Sequence, residues 1–197
     1  RVGVEDTLAL LRKAGLETLR EPAEQYGLSL AIGTCQTRLV DVANAYAMLA
    51  RGGVWQPWRA WESRTTSATL PGAGEVRLLS RGAAWMVNRA LADPALRPPE
   101  GIDPELAGME GVAWKTGTSS GFRDAWTFAY GNRYTVGVWV GNMDGRPRRA
   151  LTGAEAAAPV ALGLMQRLRK GDGARQGDAW LRTPPQEIGS AVVCQTT

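Results

Sequence analysis

The sequence predicts an α+β domain in which helices cover an antiparallel sheet. Helical patterns lie before residue 92, three strand-like runs follow between residues 112 and 141, and another helical pattern comes after them. Gly131-Asn132 separates the second run from the third, and such a pair favours a tight turn between antiparallel neighbours. Helices that are segregated from antiparallel strands are typical of the α+β class.

The helices are predicted from the spacing of apolar residues and from residues that begin or end helices. Residues 5–14 place leucines on one face, residues 38–51 form a stronger apolar stripe, and both segments are followed by glycine. Ser80 is suited to cap a third helix, because its side-chain oxygen can accept a hydrogen bond from the first turn. The last helix is predicted over residues 154–170.

The strands are predicted at residues 112–118, 125–130 and 134–141. Residues 93–111 contain four prolines and three glycines, which favours an irregular loop before the sheet. Residues 1–170 are therefore predicted to form one domain, or most of one. The composition then changes and a Pro-Pro pair appears, so residues 171–197 are predicted to be a linker leaving the domain.

Composition and charge exclude several kinds of function. The chain has 197 residues, a net charge of +4 and no histidine, so Ser-His-Asp catalysis and imidazole-ligated metal sites are excluded within it. Its basic residues are scattered, which argues against a nucleic-acid surface.

Cys35 and Cys194 lack metal-binding spacing, and we expect Cys35 to be a small core residue. No cofactor is predicted, and no apolar run is long enough to span a membrane.

One segment carries residues that are suited to catalysis. It reads WKTGTSSG at positions 114–121, and its Lys115 stands in an otherwise apolar strand. A cation there is costly to bury without a partner. Thr116 and Thr118 offer hydroxyls, and Gly117 lets another group approach the backbone. Such an edge can hold a carboxylate and the oxyanion of acyl transfer. Alternatively, Lys115 is a strand-end lysine that extends to water and Gly117 is a bulge.

The Lys-Thr-Gly triplet and two other segments together resemble the class A penicillin-binding transpeptidases. The family signature combines Lys-Thr-Gly with Ser-x-x-Lys and a Ser-x-Asn type triplet. LVDVANAY at 39–46, followed by ARGG at 50–53, resembles a helix and glycine stop of the family. RDAW at 123–126 resembles the family's aspartate-tryptophan pair. The resemblance covers about residues 4–169 and implies a fold of the β-lactamase/transpeptidase type.

The resemblance implies a peptidoglycan D,D-transpeptidase that cross-links stem peptides by serine acyl transfer and that binds β-lactams. In such an enzyme, Lys115 would supply positive potential. The Thr116 and Thr118 hydroxyls would bind the terminal carboxylate of the substrate, and the Thr118 N–H would form half of the oxyanion hole. Gly117 lies between these groups, and Ser119 lines the cleft. The resemblance also implies work at the periplasmic face of the inner membrane, on a protein anchored by a segment outside this chain.

Residues next to this segment have simpler local interpretations. Asp124 is expected either to pair with Arg123 or to cap the turn between two strands. Trp126 alternates with an apolar neighbour and is expected in the core rather than in contact with a ligand. Ser119 and Ser120 have no general base nearby, so they are predicted to be turn residues rather than nucleophiles.

Two parts of the family signature are missing from the chain. No lysine follows a serine by three positions, and no Ser-x-Asn triplet occurs. We therefore expect the C-terminal part of a domain whose nucleophile lies in a missing N-terminal part of the same protein, and we expect the chain alone to be inactive. The alternative is a non-catalytic binding or scaffolding module with the same fold. A serine β-lactamase would share the Lys-Thr-Gly chemistry, but the tail and the tryptophan-rich segment 54–61 fit it poorly.

Overall fold

The computed structural model describes residues 2–60, 74–96, 102–149, 151–171 and 179–189. Helices and a two-stranded ribbon precede the main three-stranded sheet, and a longer helix follows it. In chain order the elements are α1 (Val4–Lys13), α2 (Ala23–Tyr26), a 3₁₀ helix (Gly27–Ile32), α3 (Leu39–Ala50), β1 (Val54–Trp55), β2 (Val76–Arg77), α4 (Arg81–Ala92), a 3₁₀ turn (Pro94–Leu96), α5 (Pro104–Ala107), β3 (Ala113–Thr118), β4 (Asp124–Tyr130), β5 (Thr135–Gly141), a π-helical turn (Gly153–Ala157), α6 (Ala158–Gly171) and α7 (Ala179–Arg182).

The main sheet has the strand order β3-β4-β5, with both pairs antiparallel. Because side chains alternate along a strand, the register divides them between two faces. One face, here called the α3 face, carries Lys115, Gly117, Trp126, Phe128 and Trp139. The opposite face, here called the α6 face, carries Trp114, Thr116, Thr118, Thr127 and Val138.

The α6 face is the more buried of the two faces and holds the main core. Helix α6 packs its small and apolar side chains mainly against β4 and β5, which allows close packing between helix and sheet. The buried members of this core are Ile102, Val112, Trp114, Ala129, Val136, Ala158, Ala161, Leu162 and Met165. Burying such side chains removes apolar area from water at about 25 cal/mol per Å², so this contact supplies much of the driving force for folding.

The α3 face is covered by α3 and α4 through aromatic and polar contacts. Tyr46 of α3 stacks on Phe128 with ring centroids 4.8 Å apart. Asn88 of α4 donates to the Leu49 carbonyl at 2.9 Å and accepts from the Tyr130 hydroxyl at 2.9 Å. These contacts fix both helices on the end of the sheet where Tyr130 lies.

The order and type of the predicted elements are confirmed. The predicted helices and strands agree with α1, α3, α4, α6 and β3–β5 within a few residues at each boundary. Ser80 caps α4 as predicted, since its Oγ accepts from the Ala83 N–H at 3.0 Å. The turn at Gly131 is confirmed, since its N–H donates to the Tyr134 carbonyl at 2.9 Å. The α+β class is therefore confirmed.

The loop and tail predictions differ from the structure in part. Within the predicted irregular stretch 93–111, α5 is capped by Asp103, and residues 97–101 lie outside the described residues. In the predicted linker, residues 179–189 pack back on the domain: Leu181 is buried, and Trp180 contacts Tyr130 at a centroid distance of 6.1 Å. Apolar side chains in this proline-containing tail drive that contact. The domain boundary itself stays a prediction.

Two smaller expectations also have outcomes. Cys35 is half-buried beside the apolar cluster around Leu8 and Leu30, and this burial raises the pKa of its thiol. Cys194 lies outside the described residues. In the part of the chain that the structure describes, no helix has the length and apolarity needed to traverse a bilayer.

Candidate active site on strand β3

Strand β3 is an edge strand of the sheet formed by the described residues. The Ser119 N–H donates to the Asp124 carbonyl at 3.0 Å, which makes this facing pair a hydrogen-bonded one. Hydrogen-bonded and non-hydrogen-bonded pairs alternate along an antiparallel ladder. The pair of Thr118 and Ala125 is therefore of the non-bonded type. The backbone N–H of Thr118 points away from β4, toward the open edge.

Lys115 extends from this edge on the α3 face. Its side chain is exposed, and its ammonium donates to the Thr116 carbonyl at 2.6 Å. The sequence suggested a cation inside an apolar strand, which would be costly to bury. That cost does not arise here, because the edge position leaves the side chain in water. The Lys115 ammonium therefore lies at the open edge, where an anionic ligand can reach it.

Gly117 lies directly opposite Trp126 on the same face as Lys115. A Cβ added to Gly117 would lie 3.6 Å from the Trp126 Cβ, an ordinary contact distance. The strand is continuous through this residue, and the register contains no bulge. Because Gly117 has no side chain, nothing projects from β3 at this position beside the half-buried Trp126.

Thr116 and Thr118 direct their side chains to the α6 face, away from the side of Lys115. The Thr118 side chain is exposed, and its Oγ1 accepts from the Gly153 N–H at 3.0 Å. The two hydroxyls and the ammonium thus share one strand edge but lie on opposite faces of the sheet. A ligand that contacts all three must lie along the edge itself.

Ser119 and Asp124 together close the turn between β3 and β4. The Ser119 Oγ accepts from the Asp124 N–H at 2.8 Å, which agrees with its interpretation as a turn residue. The Asp124 carboxylate accepts from the Trp139 Nε1 at 2.9 Å. Asp124 therefore links the turn to β5, a partner that neither sequence-based alternative named.

Trp126 belongs to an aromatic row on the α3 face. Its ring lies 5.9 Å from Phe128 and 6.5 Å from Trp139, measured between centroids. The row continues through Tyr46 to Tyr130. The expectation that Trp126 lies in the core is met only in part: its ring packs against other aromatic side chains, but the residue is half-buried.

Gly153 also lies near this edge, although it is not among the residues predicted for the site. It begins the π-helical turn before α6, and its backbone meets both β3 and β4. The sequence does carry one signal for this position. Thr152 and Glu155 have the spacing of a capping box, which places a helix start at Thr152.

A separate groove of about 1290 Å³ lies between α4 and the C-terminal segment. Its lining includes Arg51, Arg77, Trp85, Trp180 and Glu187. None of the residues predicted for the site lines this groove. Within the described ranges, no cluster of three or more metal-ligating side chains occurs.

Several known proteins are similar to this chain over most of its length. No family model matches it. Penicillin-binding protein 1C of Escherichia coli (strain K12) is 37% identical over 152 residues, which are 77% of this chain and 18% of that protein. Penicillin-binding protein 1A of Mycobacterium tuberculosis is 31% identical over 173 residues, 81% of this chain and 21% of that protein. The chain thus spans about a fifth of these relatives. The segments 113–119 and 122–126 on their own resemble penicillin-binding protein 1C, and the longer alignment agrees.

Solved structures of the same family have this fold. Penicillin-binding protein 1A from Haemophilus influenzae matches with a TM-score of 0.66 at 21% identity, over 93% of this chain and 33% of that chain. Penicillin-binding protein A from M. tuberculosis, solved as an imipenem acyl-enzyme complex, matches with a TM-score of 0.58 at 20% identity, over 83% of this chain and 42% of that chain. The fold and the sequence identities agree: the chain belongs to the penicillin-binding proteins and corresponds to part of their transpeptidase domain.

Proposed function

We propose that this chain supplies the Lys-Thr-Gly strand of the active site of a serine D,D-transpeptidase, which cross-links peptidoglycan stem peptides. The observation that carries the proposal is the open edge of β3. There the register directs the Thr118 N–H outward, beside the exposed Lys115 ammonium and the Thr116 and Thr118 side chains. An acyl-transfer site needs such a group of donors where negative charge is bound and where it develops.

Each residue of the edge has a defined part in the proposal. Lys115 supplies positive potential next to the reacting serine. The Thr116 and Thr118 hydroxyls bind the terminal carboxylate of the stem peptide, with Ser119 at the end of the cleft. The Thr118 N–H donates to the oxyanion, and Gly117 leaves room for the substrate backbone along the edge.

The proposed reaction has two steps, acylation of the serine and attack of an amine on the resulting ester. The serine oxygen, having given its proton to a base, attacks the carbonyl carbon of the penultimate D-Ala and forms a tetrahedral oxyanion. The peptide C–N bond then breaks, the terminal D-Ala leaves with a proton on its amine, and an ester remains. An amine of a neighbouring stem attacks this ester, forms the cross-linking amide and returns the serine hydroxyl. A β-lactam acylates the same serine when its ring opens.

The reacting serine comes, in this proposal, from polypeptide outside these 197 residues. Ser-x-x-Lys and Ser-x-Asn are absent from the sequence, and the chain spans only about a fifth of the relatives it matches. The whole protein would work at the periplasmic face of the inner membrane, held there by a segment outside this chain. Its partners are D-Ala-D-Ala stem peptides and β-lactams; the imipenem acyl-enzyme of one relative supports the latter.

Covalent labelling of the full-length protein by a fluorescent penicillin tests the proposal. Replacing Lys115 by alanine should slow acylation by about 100- to 1000-fold, the loss typical of one preorganised electrostatic group. Lys170→Ala is the matched control, because Lys170 is exposed at the end of α6. The control should be acylated at the parental rate. A Lys115→Ala variant acylated as fast as the parent would remove Lys115 from the mechanism.

The absence of both serine motifs favours a second candidate, a non-catalytic binding or scaffolding module. Full-length protein that takes up no labelled penicillin would support the module and contradict the enzyme. Labelling of the 197-residue chain by itself would place a nucleophile within it and contradict the proposed division of the site.

A further inference from the structure

The start of the π-helical turn is fixed tightly at Thr152. The Thr152 hydroxyl accepts from the Glu155 N–H at 3.2 Å and donates to the Glu155 carboxylate at 3.1 Å. Such a capping arrangement holds the first helical residues in place. The residue held next to the cap is Gly153, which is buried.

Gly153 is joined by hydrogen bonds to both neighbouring strands. Its N–H donates to the Thr118 Oγ1 of β3 at 3.0 Å. Its carbonyl lies 3.1 Å from the Thr127 hydroxyl of β4, which shares its proton between this carbonyl and that of Trp126 at 2.8 Å, and Thr127 is fully buried. The helix start is therefore fixed against the strand edge on the α6 face.

Only glycine fits at this position. A Cβ on residue 153 would lie 2.6 Å from the Gly117 carbonyl oxygen, 2.6 Å from the Trp126 carbonyl oxygen and 3.0 Å from the Gly117 nitrogen. All three atoms are backbone atoms of paired strands, which cannot rotate away as a flexible side chain can. The close approach of Gly153 is what allows its N–H to reach Thr118.

We propose that Gly153 is a positioning residue that presents the Thr118 hydroxyl as a hydrogen-bond donor to the carboxylate of the substrate. The Gly153 N–H occupies one lone pair of Oγ1, so the hydroxyl proton is directed away from the helix. The Thr118 side chain is exposed, which leaves that proton free for an anion. The inference rests on the proposed function, because it concerns how the same site recognises its substrate.

The geometry also gives the expected result of adding a methyl group. A contact of 2.6 Å must open to roughly 3.4 Å, so Gly153→Ala displaces the helix start by about 0.8 Å. The Gly153–Thr118 distance would then grow from 3.0 Å to about 3.8 Å, too long for a hydrogen bond. The Thr118 hydroxyl would lose its fixed orientation while its backbone N–H stays in the strand.

The test compares acylation of the full-length protein by benzylpenicillin and by its methyl ester. A hydroxyl donates more strongly to a carboxylate than to a neutral ester. The ratio of the two acylation rates therefore measures recognition of the carboxylate. Both rates come from one sample, so the folded fraction cancels in the ratio. Thr118→Val and Gly153→Ala should each lower the ratio by about tenfold. The double variant should lower it no further than either single change.

Two further variants complete the test. Gly163→Ala, on the same helix, is the matched control, because a Cβ there meets nothing within 4 Å. Its ratio should equal that of the parent. Thr152→Ala loosens the helix start without adding bulk and should lower the ratio by about two- to threefold. This variant keeps the inference testable if Gly153→Ala does not fold.

The outcomes separate the inference from the proposed function. A parental ratio in Gly153→Ala or in Thr152→Ala, together with a lowered ratio in Thr118→Val, would overturn the role of Gly153 and leave the proposed function intact. A parental ratio in Thr118→Val would overturn both the inference and the proposed role of that hydroxyl. Absence of acylation by any penicillin in the parent protein would overturn the proposed function itself.

Discussion

Asn88 connects α3, α4 and β4 through two side-chain hydrogen bonds. Its side-chain N–H donates to the Leu49 carbonyl, and its oxygen accepts from the Tyr130 hydroxyl, each at 2.9 Å. Asn88 is 2% exposed and Tyr130 is fully buried, so water cannot easily replace the bond between them. We therefore expect Asn88→Ala to destabilise the whole helical cover of the α3 face.

The magnitude follows from the groups left behind. Each hydrogen bond contributes about 1 kcal/mol net, and each buried group left unsatisfied costs roughly 1–3 kcal/mol. Asn88→Ala strands the Tyr130 hydroxyl at about 2 kcal/mol and removes the bond to the Leu49 carbonyl at about 1 kcal/mol. The Leu49 carbonyl still accepts from the Gly52 N–H at 3.0 Å, so we expect a total loss of about 3 kcal/mol in the free energy of unfolding. Tyr130→Phe removes one bond and strands only the Asn88 oxygen, which gives about 1.5 kcal/mol. In a protein of this size, 3 kcal/mol corresponds to a fall in Tm of roughly 6–12 °C.

Urea unfolding followed by tryptophan fluorescence measures these losses. The double variant should be less destabilised than the sum of the single variants by about 1 kcal/mol, because the two residues share one bond. Met86→Ala is the control on the same helix, since Met86 is 53% exposed. It should change stability by no more than about 0.5 kcal/mol. Additive losses, or an Asn88→Ala variant as stable as Met86→Ala, would refute the bridging role.

Three further predictions follow from buried groups. Burial raises the pKa of Tyr130, and the neighbouring Tyr46 adds a smaller increase. The folded state therefore keeps a proton that the unfolded chain releases near pH 10. Stability should be level below about pH 10 and fall above it, and urea midpoints of Tyr130→Phe should show a smaller fall. Arg38→Ala should lower the urea midpoint more than Asp41→Asn does. The Arg38 substitution leaves the Asp41 carboxylate, which is 2% exposed, without its guanidinium partner. Equal shifts of the urea midpoint in the two variants would contradict this prediction. Leu181→Ala should lower the free energy of unfolding by about 2–4 kcal/mol, because Leu181 is 3% exposed. Leu96→Ala should leave it almost unchanged, because Leu96 is 68% exposed. Equal Tm values of the two variants would mean that the C-terminal segment does not pack on the domain.

Local sequence signals account well for the elements of the fold. Ser80 begins α4 because a serine oxygen can satisfy a free N–H of the first turn, and this is a property of neighbouring residues alone. The turn at Gly131 is likewise encoded locally. The packing of residues 179–189 was not foreseen, because it depends on Tyr130 and α4, which are distant in sequence. A Pro-Pro pair carries no information about such partners.

The candidate site divides in the same way. Lys115, Thr116, Gly117 and Thr118 could be selected from the sequence only together with their context. On their own they also fit a strand-end lysine and a bulge, whereas the segments 39–46 and 123–126 add the resemblance to a transpeptidase family. That resemblance also gave the expectation of acyl transfer. It left open which of these groups share a face and which lie at an open edge.

The sequence by itself determined the class of fold, the order of its elements and the strand on which to look for chemistry, since each depends on residues close together in the chain. The tertiary structure decided that β3 is an edge in the described sheet, that Lys115 and Thr118 lie on opposite faces, and that Gly153 meets Thr118. Residues 118 and 153 are joined only when α6 packs on the sheet. No local periodicity specifies a contact across that distance in sequence, because it arises from the close packing of a whole layer.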